Sequence, residues 1–490
     1  MVKTFNDYLK ETGEVGSVQS IVHSIVYVSG LPGVRPKEMV VAEGGQRGIV
    51  QALERDTAEV LMLDTHDLVS NLSVARTNET FTILASEGLL GRVVDPLVRP
   101  LDGEGPVRGE KQSLSIEPPA PGIGMRSRVD QPLETGVSMV DLLIPIGYGQ
   151  RELIIGDKKT GKTTFLLQTI ANQAAAGVIC VYVSVGKRQD DVKNVESYLR
   201  AKNVFSNCVL IAAGASDPAT MVYLSPYTGM TIAEYFRDSG RNVLVVFDDL
   251  TNHAKYYREI SLLLARSPGR SSYPGDIFHV HAALLERAGN IKNSAGKNVS
   301  ITGLPVAETL EGDLTGYIQT NLMAITDGHI FFDINEFRKG ARPAINPALS
   351  VSRVGNQTKN PLDREISRIV QEDLARFQRS LDIARFGVEL PDKTREEIEV
   401  GEKIGVIFNQ DANNIIPRSL QLVLFGLLLS GFWSGKNAGL VKVDVIKLIQ
   451  KQQKGLLSTL EKQVLGVKSV AELASTAKSY QKKVMEALYV

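Results

Sequence analysis

The feature that most constrains this chain is the octapeptide GDKKTGKT at residues 156–163. It follows the apolar run RELIIG and opens a segment with helical spacing, so the pattern G-x-x-x-x-G-K-T stands between a predicted strand and a predicted helix. Glycines let such a loop curl until successive backbone N–H groups point at phosphate oxygens. This context predicts a loop that binds a nucleoside triphosphate.

The residue types of the loop assign its chemistry. The positive N-terminal end of the following helix favours an anion. Lys162 is expected to reach the β- and γ-phosphates, and the Thr163 hydroxyl is expected to bind Mg²⁺. The sequence therefore predicts ATP or ADP with Mg²⁺ as ligands, and the predicted binding residues are Gly156, Asp157, Lys158, Lys159, Thr160, Gly161, Lys162, Thr163 and Thr164.

A second, acidic element is expected downstream of this loop. ATPases that share the loop steer the metal ion with an acid at the end of an apolar strand. The segment VLVVFDD at residues 243–249 supplies such an acid. Asp248 is the better candidate of the two aspartates, and we expect it to act on Mg²⁺ through a bound water.

The 490 residues are too many for one compact core. The pattern of apolar residues changes twice along the chain, which predicts three domains. Short β-branched runs separated by Gly, Pro and Asp predict a small antiparallel barrel or sandwich, and we assign an N-terminal β-barrel domain to residues 1–83. Near-continuous apolar strands that alternate with helical stretches predict a P-loop α/β nucleotide-binding domain over residues 84–362. Helical spacing without strands predicts a C-terminal α-helical domain over residues 363–490.

Charge and hydropathy exclude several classes of partner. Lys plus Arg and Asp plus Glu both number 55, so the formal net charge is zero and a nucleic-acid partner is not expected. The N-terminus is charged throughout and lacks the apolar run of a secretory signal. The most apolar stretch, residues 420–433, is shorter than the roughly 20 residues that span a bilayer, so we predict a buried helix there.

Four blocks of the sequence resemble the F1-type rotary ATPases, and within them the α subunits. They are LLGRVVDPLVRPLDGEGPV (89–107), PLETGVSMVDLLIPIGYGQRELIIGDKKTGKTT (132–164), VVFDDLTNHAKYYREISLLLARSPGRSSYPGDIFHVHAALLERAGN (245–290) and RKGARPAINPALSVSRVG (338–355). The order of β barrel, RecA-like nucleotide-binding domain and helical domain is also similar to that family.

Lys187 distinguishes between the two kinds of subunit in this family. The resemblance implies that catalytic β subunits carry a glutamate at this place, which activates the water that attacks the γ-phosphate, whereas α subunits typically carry glutamine. Here the stretch reads VSVGKRQ at residues 183–189. A charged lysine cannot accept a proton from water. The resemblance therefore implies a non-catalytic subunit that binds nucleotide without hydrolysing it.

The resemblance also implies roles for residues near the end of the middle domain. Arg353, in SVSRVG, matches the arginine finger that α subunits extend into the neighbouring β site. Arg342 and Pro343 match positions that line the adenine pocket, and Gln410 matches a pocket glutamine. Lys159 stands where α subunits usually carry glutamine. If Lys158, Lys159 and Lys187 all face the phosphates, the site is unusually cationic.

The partners that the resemblance implies are those of an F1 sector. Three copies would alternate with three β subunits around a γ central stalk, and δ and b subunits would form a peripheral stalk. The complex would couple ATP synthesis or hydrolysis to H⁺ or Na⁺ transport at the cytoplasmic face of the cell membrane or of another energy-transducing membrane. Membrane contact would then be indirect, through the F0 sector. Residues 384–401 resemble the segment that faces the rotating stalk, although their mixed charge fits a solvated helical hairpin equally well.

Two other functions share this fold. A homohexameric secretion or flagellar-export ATPase needs both the glutamate and the arginine finger in one polypeptide, and Lys187 argues against it. A motor similar to the Rho helicase needs a basic or aromatic RNA path. The neutral charge and the 6% aromatic content offer no such path.

Overall fold

The computed structural model describes residues 3–293, 295–384 and 391–489. The chain divides into two units, of which the first contains Met1–Ser127, Val178–Glu308 and Leu314–Ile325 and the second contains Arg128–Gly177, Thr309–Asp313 and Thr326–Val490. The three predicted domains follow the order of secondary structure and not these units, so their boundaries stay a prediction. Among the described helices, none is both long enough and apolar enough to cross a membrane.

The N-terminal region forms a closed barrel of antiparallel strands, which confirms the predicted barrel. Helix α1 (Phe5–Thr12) precedes it, and its strands are β1 (Val15–Val22), β2 (Ile25–Ser29), β3 (Glu38–Ala42), β4 (Arg47–Leu53), β5 (Thr57–Met62) and β6 (Ser73–Thr80). Their order around the barrel is β1-β2-β5-β4-β3-β6, with β6 paired back onto β1. Closure removes the unpaired edges that an open sheet would expose.

The barrel core consists mainly of valine. Alternate residues of a strand point to the same face of a sheet, so a period of two places one set of side chains inside. Val18, Val26, Val40, Val50 and Val60 belong to this buried cluster. Branched side chains pack well on a pleated surface, which is why these short runs form strands.

Strands and helices follow one another along the part of the chain after the barrel and before the C-terminal helices. In chain order they are β7 (Thr82–Ala85), β8 (Arg92–Val94), β9 (Gln112–Ser115), β10 (Pro132–Leu133), α2 (Ser138–Leu143), β11 (Ile146–Gly147), β12 (Glu152–Gly156), α3 (Lys162–Ala175), β13 (Ile179–Lys187), α4 (Gln189–Ala201), β14 (Cys208–Gly214), α5 (Ala219–Asp238), β15 (Val243–Asp248), α6 (Leu250–Leu263), α7 (Ile277–Leu285), β16 (Gly289–Lys292), β17 (Asn298–Glu308), α8 (Tyr317–Ile325), β18 (Gly328–Phe332), α9 (Ile334–Arg338) and β19 (Val351–Ser352).

Parallel strands dominate this region, as the near-continuous apolar runs predict. In the first unit the strands β17, β15, β13, β14 and β8 pair in that order and are all parallel, with β16 antiparallel on β17. Every residue of β15 is buried, which is typical of a strand covered on both faces. In the second unit β12 runs parallel to β18, and β19 pairs antiparallel with β18.

The C-terminal region is helical, as predicted. Its helices are α10 (Pro361–Ala384), α11 (Asp392–Phe408), α12 (Arg418–Leu429), α13 (Ala438–Gln453), α14 (Ser458–Leu465), α15 (Val470–Ser479) and α16 (Gln481–Tyr489). The apolar stretch at 420–433 forms most of α12, and Leu420 and Leu427 on it are fully buried. This confirms the predicted buried helix. Residues 385–390 of the predicted stalk-facing segment lie outside the described residues.

Candidate nucleotide-binding site

The phosphate loop connects β12 to α3 in the second unit. The strand ends at Gly156 and the helix begins at Lys162, with Gly161 before it in the left-handed region at φ 102°. A Cβ atom at Gly156 would lie 2.3 Å from the carbonyl oxygen of Phe332 on β18. The neighbouring strand therefore approaches the loop so closely that only glycine fits at its first position.

Asp157 braces the loop from within the protein. Its Oδ1 accepts the backbone N–H of Gly312 at 3.0 Å and the hydroxyl of Thr309. The Thr160 hydroxyl donates to the Asp157 carbonyl at 2.7 Å and so closes the turn. Hydrogen bonds to the carboxylate and to the carbonyl of Asp157 thus fix the shape of the loop.

Lys162 lies inside the curl of the loop. Its Nζ donates to the carbonyl oxygens of Gly156 at 2.6 Å and Asp157 at 2.7 Å, and the residue is only 8% exposed. Lys158, Lys159 and Thr163 are exposed. The loop therefore combines a buried ammonium with an exposed hydroxyl at the start of α3, and the predicted contacts of Lys162 with phosphate and of Thr163 with Mg²⁺ stay predictions.

Arg342 and Pro343 line a cavity of about 810 Å³ in the second unit. The Arg342 guanidinium lies 3.7 Å from the centre of the Phe337 ring, and its Nη1 donates to the Phe337 carbonyl at 3.0 Å. Phe408 and Asn409 line the same cavity. Its volume lies in the range of pockets that bind small molecules, about 300–1,000 Å³. None of the described residues that line it belongs to the phosphate loop.

Gln410 is not among the residues that line this cavity, and its side-chain amide forms hydrogen bonds with backbone groups of the protein. Its Nε2 donates to the carbonyl oxygens of Gly136 at 2.7 Å and Asn414 at 2.6 Å, while Oε1 accepts the N–H of Ser138 at 3.3 Å. The residue is 4% exposed. These bonds fix the segment after α11, and the predicted contact with the base stays a prediction.

Lys187 forms an ion pair with Asp248 in the first unit. Lys187 ends β13 and Asp248 ends β15, the parallel neighbour of β13. The Lys187 Nζ lies 2.5 Å from Oδ1 of Asp248, and the Tyr182 hydroxyl donates to Oδ2 at 2.5 Å. Asp248 is 1% exposed. Both carboxylate oxygens of the predicted magnesium-steering acid thus have partners in the protein.

Arg353 follows β19, and hydrogen bonds hold its own N–H and the residue before it. Its N–H donates to the Asp327 carbonyl at 3.0 Å. The preceding Ser352 hydroxyl donates to the Pro145 carbonyl at 2.7 Å and accepts from Gln150 at 3.2 Å. The arginine itself is exposed. A fixed backbone with an exposed guanidinium is the arrangement that an arginine finger needs.

Comparison with known proteins decides the family. Residues 136–352 match the model of the ATP synthase alpha/beta family, nucleotide-binding domain. An ATP synthase subunit alpha of Aquifex aeolicus (strain VF5) is 38% identical over 476 residues, which cover 97% of this chain and 93% of that relative. One of Neorickettsia sennetsu (strain ATCC VR-367 / Miyayama) is 41% identical over 429 residues, covering 86% and 84%. The chain belongs to the ATP synthase α-subunit family.

A further member of the α-subunit family gives the same result. An ATP synthase subunit alpha 2 of Syntrophus aciditrophicus (strain SB) is 39% identical over 453 residues, which cover 92% of this chain and 87% of that relative. The resemblance in the four sequence blocks is therefore confirmed. A nucleotide is the expected ligand of the matched domain.

Burial and nearby carboxylates have opposite effects on the pKa of Lys187 in this member of the α-subunit family. Burial by itself would lower the pKa of the ammonium, but Asp248, Asp249 and Glu308 outweigh burial and raise it. Lys187 therefore stays charged throughout the physiological range. An ammonium in this state has no lone pair with which to take a proton.

The two predicted magnesium ligands fit the metal ion differently. The exposed hydroxyl of Thr163 at the start of α3 suits a hard cation that prefers oxygen. Asp248 already accepts from Tyr182 on one carboxylate oxygen and pairs with Lys187 on the other, and its predicted contact with Mg²⁺ through a bound water stays a prediction.

Some contacts at the site lie beyond the reach of the sequence. Thr309 and Gly312, which brace Asp157, stand about 150 residues downstream of it and belong to no motif. Phe337 under Arg342 had one weak signal, an aromatic residue five positions before a predicted pocket arginine. No sequence signal pointed to the contact of the Tyr182 hydroxyl with Asp248, because Tyr182 stands within an apolar strand.

Proposed function

We propose that this chain is the non-catalytic α subunit of the F1 sector of a rotary ATP synthase. It binds ATP or ADP and does not hydrolyse it. The observation that carries this proposal is the Lys187 ammonium at the place of the catalytic glutamate, paired with Asp248 at 2.5 Å. A cation held on the strand-end carboxylate leaves that position without a group that can activate water.

The acids close to Lys187 in sequence and space do not replace the missing base. Asp248 is occupied by Lys187 and Tyr182. Asp249 caps α6, since its Oδ1 accepts the N–H of Asn252 at 2.7 Å. Asp190 and Asp191 lie in the first turn of α4, where they are exposed and favour the positive end of the helix.

The binding function depends on the phosphate loop. Lys162 and the backbone N–H groups of residues 156–164 would hold the phosphates, and Arg342 with Pro343 would contact the base. The Thr163 hydroxyl would hold the Mg²⁺ ion that accompanies a triphosphate and neutralises part of its charge. The preformed contacts of Lys162 with the loop support this role, because little reorganisation remains when the ligand binds.

Arg353 would act in the site of a neighbouring β subunit. There its guanidinium would stabilise the charge that develops on the γ-phosphate during transfer, a contribution of about 10³–10⁵ in rate for arginine fingers. The hydrogen bonds that fix its backbone support this role. The chain would therefore keep its own nucleotide intact and complete the catalytic site of its neighbour.

The assembly would follow from this division of roles. Three such chains would alternate with three β subunits around a γ stalk, with δ and b subunits as a peripheral stalk and the F0 sector as the membrane anchor. Rotation of the stalk would shift the interface sites between open and closed conformers, and this exchange couples ATP synthesis or hydrolysis to ion transport. The complex would lie at the cytoplasmic face of an energy-transducing membrane.

An activity assay on separate and combined subunits tests the proposal. The purified full chain alone is expected to bind ATP without measurable turnover. Addition of its β partner is expected to produce turnover that follows the concentration of the complex. Brisk turnover by the chain without β would contradict the proposal and would favour a self-sufficient hexameric ATPase.

A further inference from the structure

Three strands of the second unit are in register next to Arg353. Glu152 on β12 pairs with Gly328 on β18, and Gly328 pairs in turn with Ser352 on β19. A Cβ atom at Gly328 would lie 2.6 Å from Oε2 of Glu152. The absence of a side chain at Gly328 therefore leaves room for polar groups of the strands on either side of it.

The side-chain amide of Gln150 connects these two flanking strands. Its Nε2 donates to Oε2 of Glu152 at 2.6 Å and to the Ser352 hydroxyl at 3.2 Å. Its Oε1 accepts the backbone N–H of Gly147 at 2.8 Å. Because an N–H group can only donate, the contact with Gly147 determines which end of the amide faces the strands. Gln150 and Glu152 are fully buried, so these bonds form away from water.

Ser352, the residue before Arg353, is fixed by both contacts of its hydroxyl. It accepts from Gln150, and its own proton is donated to the Pro145 carbonyl at 2.7 Å. The same carbonyl limits the path of the chain beyond Arg353, since a Cβ atom at Gly355 would overlap it. Arg353 therefore follows the sheet in a segment whose path is set by buried contacts.

We propose that Gln150 is a positioning residue for Arg353, because its amide fixes Ser352 and thereby the direction in which the guanidinium leaves the protein. The inference rests on the proposed role of Arg353 in the site of a neighbouring subunit. Gln150 is fully buried, so it would act through Ser352 and not by contact with phosphate. A misplacement of about 1 Å that arises far from the reacting atoms costs up to about 100-fold in rate.

Gln150→Met in the assembled complex tests this inference. Methionine is also unbranched but has no amide with which to bond Ser352. Turnover is expected to fall about 10- to 100-fold, while the KM for ATP is expected to change by less than about twofold. The reason for this split is that Arg353 stabilises charge that develops only during transfer, so its misplacement affects the transition state more than substrate binding.

Gln421→Met is the matched control. Gln421 is also a buried glutamine, and its Nε2 donates to Oδ2 of Asp141 at 2.8 Å and to the Ile416 carbonyl at 3.0 Å. Both of its N–H groups are thus used outside β19, so this variant is expected to keep the turnover of the wild type. Equal losses for Gln150→Met and Gln421→Met would overturn the inference, because they would show a general effect of removing a buried amide.

A double variant tests whether the effect of Gln150 passes through Arg353. In an Arg353→Ala background the guanidinium is already absent, so Gln150→Met is expected to cause no further loss of turnover. A further loss as large as in the wild-type background would overturn the inference, as would wild-type turnover of Gln150→Met alone. If Arg353→Ala itself leaves turnover unchanged, the proposed function fails and the inference fails with it.

Ser352→Ala guards against a Gln150 variant that does not fold. It removes one hydroxyl and leaves the amide of Gln150 bonded to Glu152 and Gly147. Turnover is expected to fall by about tenfold or more, again with little change in KM. Turnover equal to that of the wild type would overturn the inference, because this hydroxyl is the contact through which Gln150 is proposed to act.

Discussion

At the scale of single residues, three cations differ in their surroundings. Lys162 lies inside the phosphate loop, Lys187 pairs with Asp248, and Arg353 is exposed. The proposed function gives each of them a different task in nucleotide binding or catalysis. Their roles therefore separate in mutational experiments.

Lys162→Ala tests the binding role of the loop. Removal of a charged hydrogen-bond donor costs about 1.5–3 kcal/mol, which corresponds to about 10- to 100-fold weaker ADP binding by this chain. Equilibrium dialysis of the full chain measures the change, and Lys193→Ala is the control. Turnover of the assembled complex is expected to fall less than binding. A loss of chemistry larger than the loss of binding would contradict the assignment.

Arg353→Ala tests the role toward a neighbour. Turnover of the assembled complex is expected to drop by about 10³–10⁵-fold. The reason is that alanine has no guanidinium to stabilise the charge on the transferring phosphoryl group. ADP binding by the isolated chain is expected to stay unchanged. Arg368→Ala is the control, since Arg368 is an exposed arginine in an ion pair with Glu372. Equal turnover for both variants would refute the role of Arg353.

At the scale of secondary-structure elements, periodicity and the phosphate loop were sufficient to predict most of the fold. The apolar run RELIIG contains β12 (Glu152–Gly156), and the helix predicted after the loop is α3 (Lys162–Ala175). Apolar runs and glycine turns are local signals, so the sequence carries them directly. The barrel is likewise predicted from short β-branched runs between turn residues, and their valines form its core.

Contacts between distant elements could not be read in this way. The brace of Asp157 by Thr309 and Gly312, and the pairing of Lys187 with Asp248, join elements far apart in sequence. A motif names the residues of one element but not the partners that folding brings to them. The contacts of Gln410 were likewise not predictable, because its Nε2 donates to the backbone carbonyls of Gly136 and Asn414, and its predicted contact with the base stays a prediction.

The buried histidine pair between α6 and α7 gives a prediction on pH. The Nε2 of His253 donates to the Tyr223 carbonyl at 3.0 Å, so its Nδ1 must accept from Nε2 of His281 at 3.1 Å. Burial lowers the pKa of His253 from its ordinary 6.5 to about 4, and burial lowers that of His281 as well. Both rings are therefore neutral in the folded protein.

Stability is expected to fall as the pH drops from 6.5 toward 4. Below pH 6.5 the histidine of the unfolded chain takes up a proton, while the buried ring of the folded chain stays neutral until about pH 4. Protons therefore favour the unfolded state, and the free energy of unfolding, which is highest above pH 6.5, falls as the pH approaches 4. For His253 the loss is on the order of 3 kcal/mol. Calorimetric melting at several pH values measures it. His253→Gln should flatten the pH dependence, whereas exposed His279→Gln should not; equal slopes would contradict the prediction.

At the scale of the whole molecule, the proposed function requires partner subunits. If the chain holds its nucleotide intact and lends an arginine to a neighbour, we expect turnover only in an assembly with β and γ subunits. Co-purification with quantitative mass spectrometry is expected to return this chain and a β subunit in equal amounts, with one γ for about three of each. Recovery of hexamers that contain this chain alone would contradict it.

The most direct test of the central claim follows the chemical fate of a single bound ATP. The purified full chain, free of β subunit, is mixed with less than one equivalent of γ-labelled ATP and quenched over time. We predict that the label is recovered as intact ATP bound to the protein long after an equal sample of assembled complex has released phosphate. Phosphate release by the chain alone at the rate of the complex would contradict the claim that Lys187 leaves this nucleotide unhydrolysed.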